Sequence, residues 1–246
     1  MSLSNIAAIK EIINNYGLSP SSLNGQNFLI DEAVLQTIVE TADIMAGENI
    51  LEIGPGLGVL TAELLAAGAK VTAVEKDRQL FTYLKKHFKG EANLNLVNED
   101  ILKYNNFPAS YRIVANIPYS ITAKIIKKFI AEASNKPASM LMLVQKEVGA
   151  RLCARPGKLN LLAICAQLYG APSIIVTVPA RSFYPIPKVD SCLLLIDHIK
   201  AKTPYSIGDL AQFWRILKIG FASPRKQLHN NLMAGLRLPG SDVKQL

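Results

Sequence analysis

The chain is poor in the residues that build metal sites and disulfide frameworks. Its 246 residues include only three cysteines and three histidines, and no two cysteines have the CxxC spacing. Cys153, Cys165 and Cys192 lie far apart, which is typical of buried free thiols in a reducing compartment. We therefore expect no bound metal, and in particular neither a zinc site nor a set of disulfides.

Long hydrophobic runs are also missing. No apolar stretch approaches the roughly 20 residues that a membrane span needs. The first residues, MSLSNIAAIKEIINN, lack the basic segment, apolar core and cleavage site of a secretory signal. Glycine (15) and proline (13) are too few for a disordered or collagen-like chain, and half of the residues are hydrophobic. We expect a globular cytoplasmic protein that does not bind membranes.

The positive charge is concentrated near the carboxyl end. The net charge is +8, and the segment from His198 to Leu246 holds five lysines and three arginines against two aspartates. A basic segment after a nearly neutral body is typical of an enzyme with a nucleic-acid contact surface, although a solvated basic face is the alternative. The predicted nucleic-acid contacts are Arg215, Lys218, Arg225, Lys226 and Arg237.

Strands alternate with helices over most of the chain. This alternation predicts a parallel sheet with helices on both faces. The predicted strands are 49–53, 70–75, 94–97, 112–115, 140–145, 174–178 and 191–197. After Asp197 the pattern becomes helical only, at 210–219 and 225–236. We therefore predict one large domain, 1–200, and a small basic helical domain, 201–246.

A glycine-rich turn follows the first of these strands. Gly54, Gly56 and Gly58 give a GxGxG spacing between a strand and a helix. Glycines at this position allow the backbone to approach a ligand closely and the helix N–H groups to point at it. Val59 stands where the dinucleotide fingerprint GxGxxG has its third glycine, which disfavours a nicotinamide dehydrogenase. An ordinary tight turn is the alternative to a ligand loop.

Acidic residues end the next two strands. Glu75 lies 21 residues beyond Gly54, where a carboxylate accepts the ribose hydroxyls of a nucleoside ligand. Asp100 ends the following strand and is placed to accept from an adenine amino group. Simple helix caps are the alternative. Three successive strand ends with suitable groups predict a nucleoside-containing ligand.

The fourth strand ends in the segment Asn116-Ile-Pro-Tyr119. The exocyclic amine of adenine is a poor nucleophile because its lone pair is delocalised into the ring. The Asn116 side-chain oxygen and the Ile117 carbonyl would accept its two N–H groups and favour a more pyramidal nitrogen. Pro118 stiffens the turn, and Tyr119 offers a ring on which a base stacks with roughly 1–3 kcal/mol. A turn with a surface tyrosine is the alternative.

These motifs, together and in this order, resemble the ribosomal RNA adenine dimethyltransferase (KsgA) family. They are 25–31 (GQNFLID), 51–58 (LEIGPGLG), Glu75, 98–100 (NED), 116–119 (NIPY), 144–148 (VQKEV), 155–157 (RPG) and 182–191 (SFYPIPKVDS). The resemblance implies an α/β, Rossmann-like, S-adenosylmethionine-dependent methyltransferase fold. In this fold a doubly wound, mostly parallel seven-stranded sheet has one late antiparallel strand, and a small helical domain follows it.

The resemblance also assigns site residues. Asn27 and Leu29 close over the methionine end of the methyl donor, and Phe183 packs against the target adenine opposite Tyr119. The resemblance assigns catalysis to residues 116–119 and places Asn116 between the methyl donor and the acceptor base. The residues assigned to the donor are Asn27, Leu29, Gly54, Glu75, Asp100 and Asn116. Departures from the family pattern at 21–24, Ser120 and Pro224 predict weaker contact with RNA.

The implied function is dimethylation of adenine N6 in ribosome biogenesis. The expected targets are two adjacent adenines in a loop near the 3′ end of 16S RNA, and the expected partner is small-subunit ribosomal RNA or the immature small subunit. We expect a monomer that uses S-adenosylmethionine and no metal. One alternative is an erythromycin-resistance type methyltransferase that acts on 23S RNA. The other is a non-catalytic RNA-binding assembly or transcription factor on the same fold.

Overall fold

The computed structural model describes residues 6–17, 27–203, 205, 207–223 and 226–243. In these residues, strands β1 to β9 are Phe28–Leu29, Asn49–Ile53, Lys70–Glu75, Leu94–Asn98, Arg112–Asn116, Met140–Gln145, Ala171–Val178, Phe183–Tyr184 and Ser191–Asp197. Helices α1 to α10 are Ile6–Asn15, Glu32–Ala42, Val59–Ala66, Arg78–His87, Thr122–Ile126, Lys146–Leu152, Leu161–Tyr169, Leu210–Gly220, Leu228–Leu236 and Gly240–Val243. Helix α5 continues as a π-helical segment, Lys127–Glu132.

Seven strands form one sheet in the order β4-β3-β2-β5-β6-β9-β7. Strand β9 runs antiparallel to both of its neighbours, and the other pairs are parallel. The predicted fold, with one late antiparallel strand, is therefore confirmed. The chain order reverses between β2 and β5, and ligands of such sheets bind in the crevice beyond the carboxyl ends at this point.

The central strand β6 shows why this sheet forms. Its residues 140–144 are all buried, as expected for a strand covered by helices on both faces. Met142 lies in one hydrophobic cluster with Phe129, and the next residue, Leu143, lies in another with Leu64. Successive side chains of a strand point to opposite faces, so these two clusters are the cores on the two sides of the sheet.

A second, two-stranded sheet joins the amino-terminal segment to the loop before β9. Strand β1 pairs antiparallel with β8, so that Leu29 lies opposite Phe183. Asp31 caps α2 through the N–H groups of its first turn and also accepts a hydrogen bond from the Ser182 hydroxyl at 2.7 Å. Two-residue strands carry no readable periodicity, and this sheet was not predicted. It places Asn27 at the carboxyl edge of the large sheet.

Several predicted bounds differ from the structure. Helix α6 was not predicted, and α5 passes directly into the π-helical segment. Helix α9 begins at Leu228 instead of 225. A short helix that directly follows a buried strand has too few turns to show a periodicity.

Helices α8 and α9 follow the sheet and pack on each other. A Cβ added at Gly235 of α9 would lie 2.2 Å from the Ile219 side chain, so the glycine permits this close approach. Phe213 and Trp214 of α8 are partly buried against the cluster that contains Phe129. The division at residue 200 stays a prediction. None of the helices in the described residues has the length and hydropathy to span a membrane.

Candidate active site

A cavity of about 690 Å³ opens at the carboxyl ends of β2, β3, β4 and β5. Residues as far apart in sequence as Asn27 and Asn116 lie on its wall. The predicted residues that line it are Asn27, Leu29, Gly54, Glu75, Asp100, Asn116 and Pro118. The structure thus brings together every residue that was assigned to the methyl donor.

The glycine turn needs its glycines for both conformation and space. Gly56 and Gly58 have φ angles of 60° and 79°, in the left-handed region that L side chains rarely adopt. A Cβ on Gly58 would lie 2.5 Å from the Phe88 ring, and one on Gly56 would lie 3.2 Å from the Phe28 ring. The turn therefore exposes backbone without side chains to the cavity, and it packs closely against the Phe28 and Phe88 rings.

Glu75 ends β3 as a buried carboxyl group, 6% exposed. Its Oε1 accepts the Asp77 N–H at 2.8 Å, and its Oε2 accepts the Gly56 N–H at 3.2 Å. Burial raises the pKa of Glu75 to about 7, against these hydrogen bonds, which lower it. The carboxyl group is held at the cavity wall with free lone pairs on both oxygens.

Asp100 is less available than the sequence indicates. Its Oδ1 accepts the Leu102 N–H at 3.0 Å, and its Oδ2 forms an ion pair with Lys76 at 3.0 Å. The Leu102 N–H and the Lys76 ammonium hold the pKa of Asp100 below its ordinary value. Because the Lys76 side chain is 76% exposed, this ion pair is weak and a ligand amino group can share the carboxylate.

Glu52 is a cavity residue to which the sequence assigned no role. It is 1% exposed, accepts the Thr61 hydroxyl at 2.6 Å and lines the cavity directly before the glycine turn. Burial raises the pKa of Glu52 to about 8. A carboxylate inside the apolar strand 49–53 (NILEI) was the signal that could have identified it.

Asn116 is oriented by a long-range hydrogen bond. Its Nδ2 donates to the backbone carbonyl of Asn27 at 3.0 Å, across 89 positions of sequence. This bond fixes which end of the amide is the donor and leaves Oδ1 as an acceptor on the wall of the cavity. An acceptor oxygen is the group predicted to bind the adenine amine.

Ile117 and Tyr119, which follow Asn116 in the segment 116–119, have different environments. The Ile117 side chain is 1% exposed and lies in the core, so only its backbone can act on a ligand. Tyr119 begins a short 3₁₀ turn, and its hydroxyl lies 2.6 Å from the Ser191 hydroxyl at the start of β9. Burial raises the pKa of Tyr119. The ring is therefore anchored at its polar end and half-buried beside the cavity.

Phe183 is not at the open site in this structure. It is fully buried in the core cluster that contains Leu64 and Leu143, and it pairs with Leu29 across the two-stranded sheet. The next residue, Tyr184, points to the opposite side and packs against the cluster that contains Phe28. Adenine stacking by Phe183 stays a prediction, and this conformation does not provide the open face that stacking needs.

Comparison with known proteins decides the family. The profile described as ribosomal RNA adenine dimethylase matches residues 21–238. A ribosomal RNA small subunit methyltransferase A of Dehalococcoides mccartyi is 39% identical over 238 residues, which are 94% of this chain and 80% of the relative. The chain belongs to the ribosomal RNA adenine dimethylase family. It is an S-adenosylmethionine-dependent enzyme that dimethylates adenine in ribosomal RNA.

Two solved structures of methyl-transferring enzymes are similar to this chain over most of its length. A dimethyladenosine transferase from Plasmodium falciparum has a TM-score of 0.69 and 30% identity, covering 85% of this chain and 77% of its own. The 23S rRNA methyltransferase ErmE has a TM-score of 0.71 and 28% identity, covering 89% of this chain and 88% of its own. The fold of this dimethylase extends over most of both structures.

The cavity residues of this dimethylase fit S-adenosylmethionine. Asn27 is 8% exposed, and its Oδ1 is a buried acceptor without a partner among the described residues. A buried polar atom without a partner is costly, and an ammonium group at this end of the cavity would satisfy it. Glu75 and Asp100 supply carboxylates for hydroxyl and amino groups at the other strand ends.

The basic residues of the carboxyl-terminal helices lie on the surface of this dimethylase. Arg215 and Lys218 are exposed and one turn apart on α8, and Lys226 and Arg237 are exposed on either side of α9. Arg225, together with Pro224, lies outside the described residues. Their contact with RNA stays a prediction.

Proposed function

We propose that this enzyme dimethylates N6 of two adjacent adenines in a loop near the 3′ end of 16S ribosomal RNA. The observation that carries the proposal is the acceptor oxygen of Asn116, which the Asn27 carbonyl orients on the wall of the donor cavity. Sequence identity supports the small subunit as substrate. The chain is 39% identical to a small-subunit methyltransferase and 28% identical to the 23S rRNA methyltransferase ErmE.

The enzyme's residues act by positioning. When bound, S-adenosylmethionine supplies a methyl group on a sulfonium centre, already activated for transfer. Asn116 Oδ1 and the Ile117 carbonyl accept the two N–H groups of the adenine amine and direct its lone pair. The amine proton leaves to water after transfer. Alignment of this kind supplies most of the rate enhancement in a reaction that needs no general acid.

The donor is held by groups from successive strand ends. Asn27 and Leu29 cover its methionine part, and Gly54 lies beneath. Glu75 accepts from its ribose, and Asp100 accepts from its adenine amine. A sulfonium donor of this kind reacts without metal assistance, so the proposed enzyme uses no metal.

The proposal extends to the surroundings of the site. Tyr119 stacks on the target base, Phe183 joins it only after a rearrangement that exposes its buried ring, and the exposed cations of 201–246 contact RNA phosphates. We propose that 1–200 and 201–246 act as catalytic and RNA-contact domains of a monomer in the cytoplasm.

Methyl transfer from labelled donor to separated ribosomal subunits tests the proposal. We expect label in immature small subunits, and dimethyladenosine on digestion of their RNA. Label only in protein-free large-subunit RNA would instead establish the resistance-type activity. Donor binding without any transfer would favour the non-catalytic alternative.

A further inference from the structure

A second cavity, of about 540 Å³, adjoins the donor cavity. The two share Leu102, which follows β4, and Lys124, which lies on α5. Among the described residues, the second cavity is also lined by two further lysines, Lys127 and Lys128, and by one acidic residue, Glu132. Lysine therefore outnumbers the acid three to one in a concave part of the surface.

Nearby carboxylates compensate the positive charge of this cavity only in part. Lys127 pairs with Glu132 at 2.5 Å, and both side chains are more than half exposed. Lys124 is exposed and has no ion pair among the described residues. In the described part of the chain, Lys128 donates to two neutral oxygens, at 2.5 Å to the Tyr104 carbonyl and at 3.1 Å to Asn105 Oδ1.

Lys128 is a cation held in a fixed place. Its Nζ lies 5.6 Å from the centre of the Phe107 ring and 5.8 Å from that of Phe129. Burial lowers the pKa of Lys128, against the nearby carboxylates, which raise it. A cation already ordered against two rings loses little further entropy when an anion binds.

The donor does not account for this charge. S-adenosylmethionine has no phosphate, and the assignment above places its carboxylate end near Asn27, whereas the second cavity adjoins the Asp100 end through Leu102. Lysines in a concave surface favour phosphate groups, and RNA binding by proteins depends mainly on such contacts.

We propose that the second cavity binds the phosphodiester backbone of the RNA strand that carries the target adenine. Lys124 lies five residues beyond Tyr119 and borders both cavities, so a strand can pass from the base site to the lysines. The proposal rests on the proposed function, and it adds a backbone contact to the surface of α8 and α9.

A pair of double variants tests this site. Lys127→Gln with Lys128→Gln removes two charges from the part of the second cavity that the donor cavity does not share. Lys85→Gln with Lys89→Gln removes two charges from exposed positions on α4 and the turn after it. We expect the cavity variant to bind small ribosomal subunits about tenfold more weakly and to reduce the slope of log affinity against log salt by about one to two. The control variant should match the wild type, and calorimetry should give an unchanged donor affinity in both.

Glu132→Gln provides a test in the opposite direction. It removes the ion-pair partner of Lys127, and we expect small-subunit affinity to increase about threefold at low salt. An unchanged salt slope in the cavity variant, or an equal loss in the control variant, would overturn the proposed site. Methyl transfer by the wild type distinguishes this result from a failure of the proposed function. If the proposed function is wrong, the wild-type enzyme itself does not label small subunits.

Discussion

The side-chain amide of Asn116 donates a hydrogen bond to the backbone carbonyl of Asn27 at 3.0 Å. The bond ties the end of β5 to the segment that precedes β1, and it orients the acceptor oxygen proposed to bind the target amine. The neighbouring Asn27 Oδ1 is a buried acceptor without a partner among the described residues. One asparagine is thus fixed for the substrate, while the other still has an acceptor available for the donor.

Asn116→Ala should separate catalysis from donor binding. We expect turnover to fall at least ~100-fold, because the acceptor that positions the amine is lost. Donor affinity should change little, and calorimetric titration checks this. Single-turnover rates close to wild type would remove Asn116 from the catalytic residues.

Glu75→Ala should have the reverse effect. Loss of a carboxylate that binds donor hydroxyls should weaken donor binding by roughly 1.5–3 kcal/mol. Glu91→Ala, at an exposed position, is the matched control. Donor titration of both variants is the measurement, and equal affinities would contradict the ribose assignment.

Tyr119 is expected to act through its ring. Tyr119→Ala should lower single-turnover rates more than Tyr119→Phe, since the ring is the part that stacks on the base. The hydroxyl bond to Ser191 adds a positioning role. Tyr119→Phe and Ser191→Ala should therefore lower the single-turnover rate equally little, by an amount equivalent to about 1 kcal/mol of activation free energy each. A Tyr119→Phe variant as damaged as Tyr119→Ala would show that the hydroxyl has a larger role.

Phe183→Ala should destabilise the fold, because this ring is fully buried. We expect a loss of about 3–5 kcal/mol in the free energy of unfolding, measured by urea denaturation. Phe183→Leu fills much of the same volume and should lose considerably less. If Phe183→Leu keeps its stability and donor affinity but loses turnover, the ring acts on the substrate. Unimpaired turnover would instead assign it to packing.

Glu52 and Glu75 should make stability decrease with rising pH. Their pKa values in the folded chain are about 8 and about 7, above the ordinary 4.5. The unfolded chain thus binds fewer protons between these limits, so their contribution is full below pH 4.5 and is lost as the pH rises to about 8. Each group changes the unfolding free energy by at most about 1.4 kcal/mol per pH unit.

Glu52→Gln isolates one of these two groups. Urea denaturation should be measured from about pH 5 to about pH 8, between the ordinary and the raised pKa of Glu52. Over this range the free energy of unfolding of the variant should depend less on pH than that of the wild type. Glu91→Gln, an exposed carboxyl, should leave the dependence unchanged. Parallel pH profiles for Glu52→Gln and the wild type would show that Glu52 is ionised in the folded chain.

Much of the large sheet was predictable because its strands have distinctive patterns. Strands β2, β3, β6 and β9 have the predicted bounds, since each is a short apolar run between turn residues. The candidate site residues at the carboxyl ends of β3 and β5 followed from their chemistry, because parallel strands of a doubly wound sheet end at one edge. Asn116 and Glu75 were identified in this way.

The environments of several residues depend on contacts distant in sequence. The local sequence around Phe183 does not indicate whether its ring is exposed or buried. The ring is buried because Phe183 pairs with Leu29 in the two-stranded sheet. Lys76 reads as a solvated charge until the fold brings it to Asp100. The lysines of α5 and the segment after it likewise read as one exposed helix face, and only the adjoining loops make a cavity of them.

The sequence by itself determined the order of the strands of the large sheet and the chemical groups at their ends, because both depend on local patterns of one or a few residues. Tertiary structure decided which of these groups are buried, paired or free. Burial of Glu52, the orientation of Asn116 by Asn27 and the cavity of Lys124 each need segments brought together by packing. Their electrostatic environment is set by solvent exclusion, which no local pattern encodes.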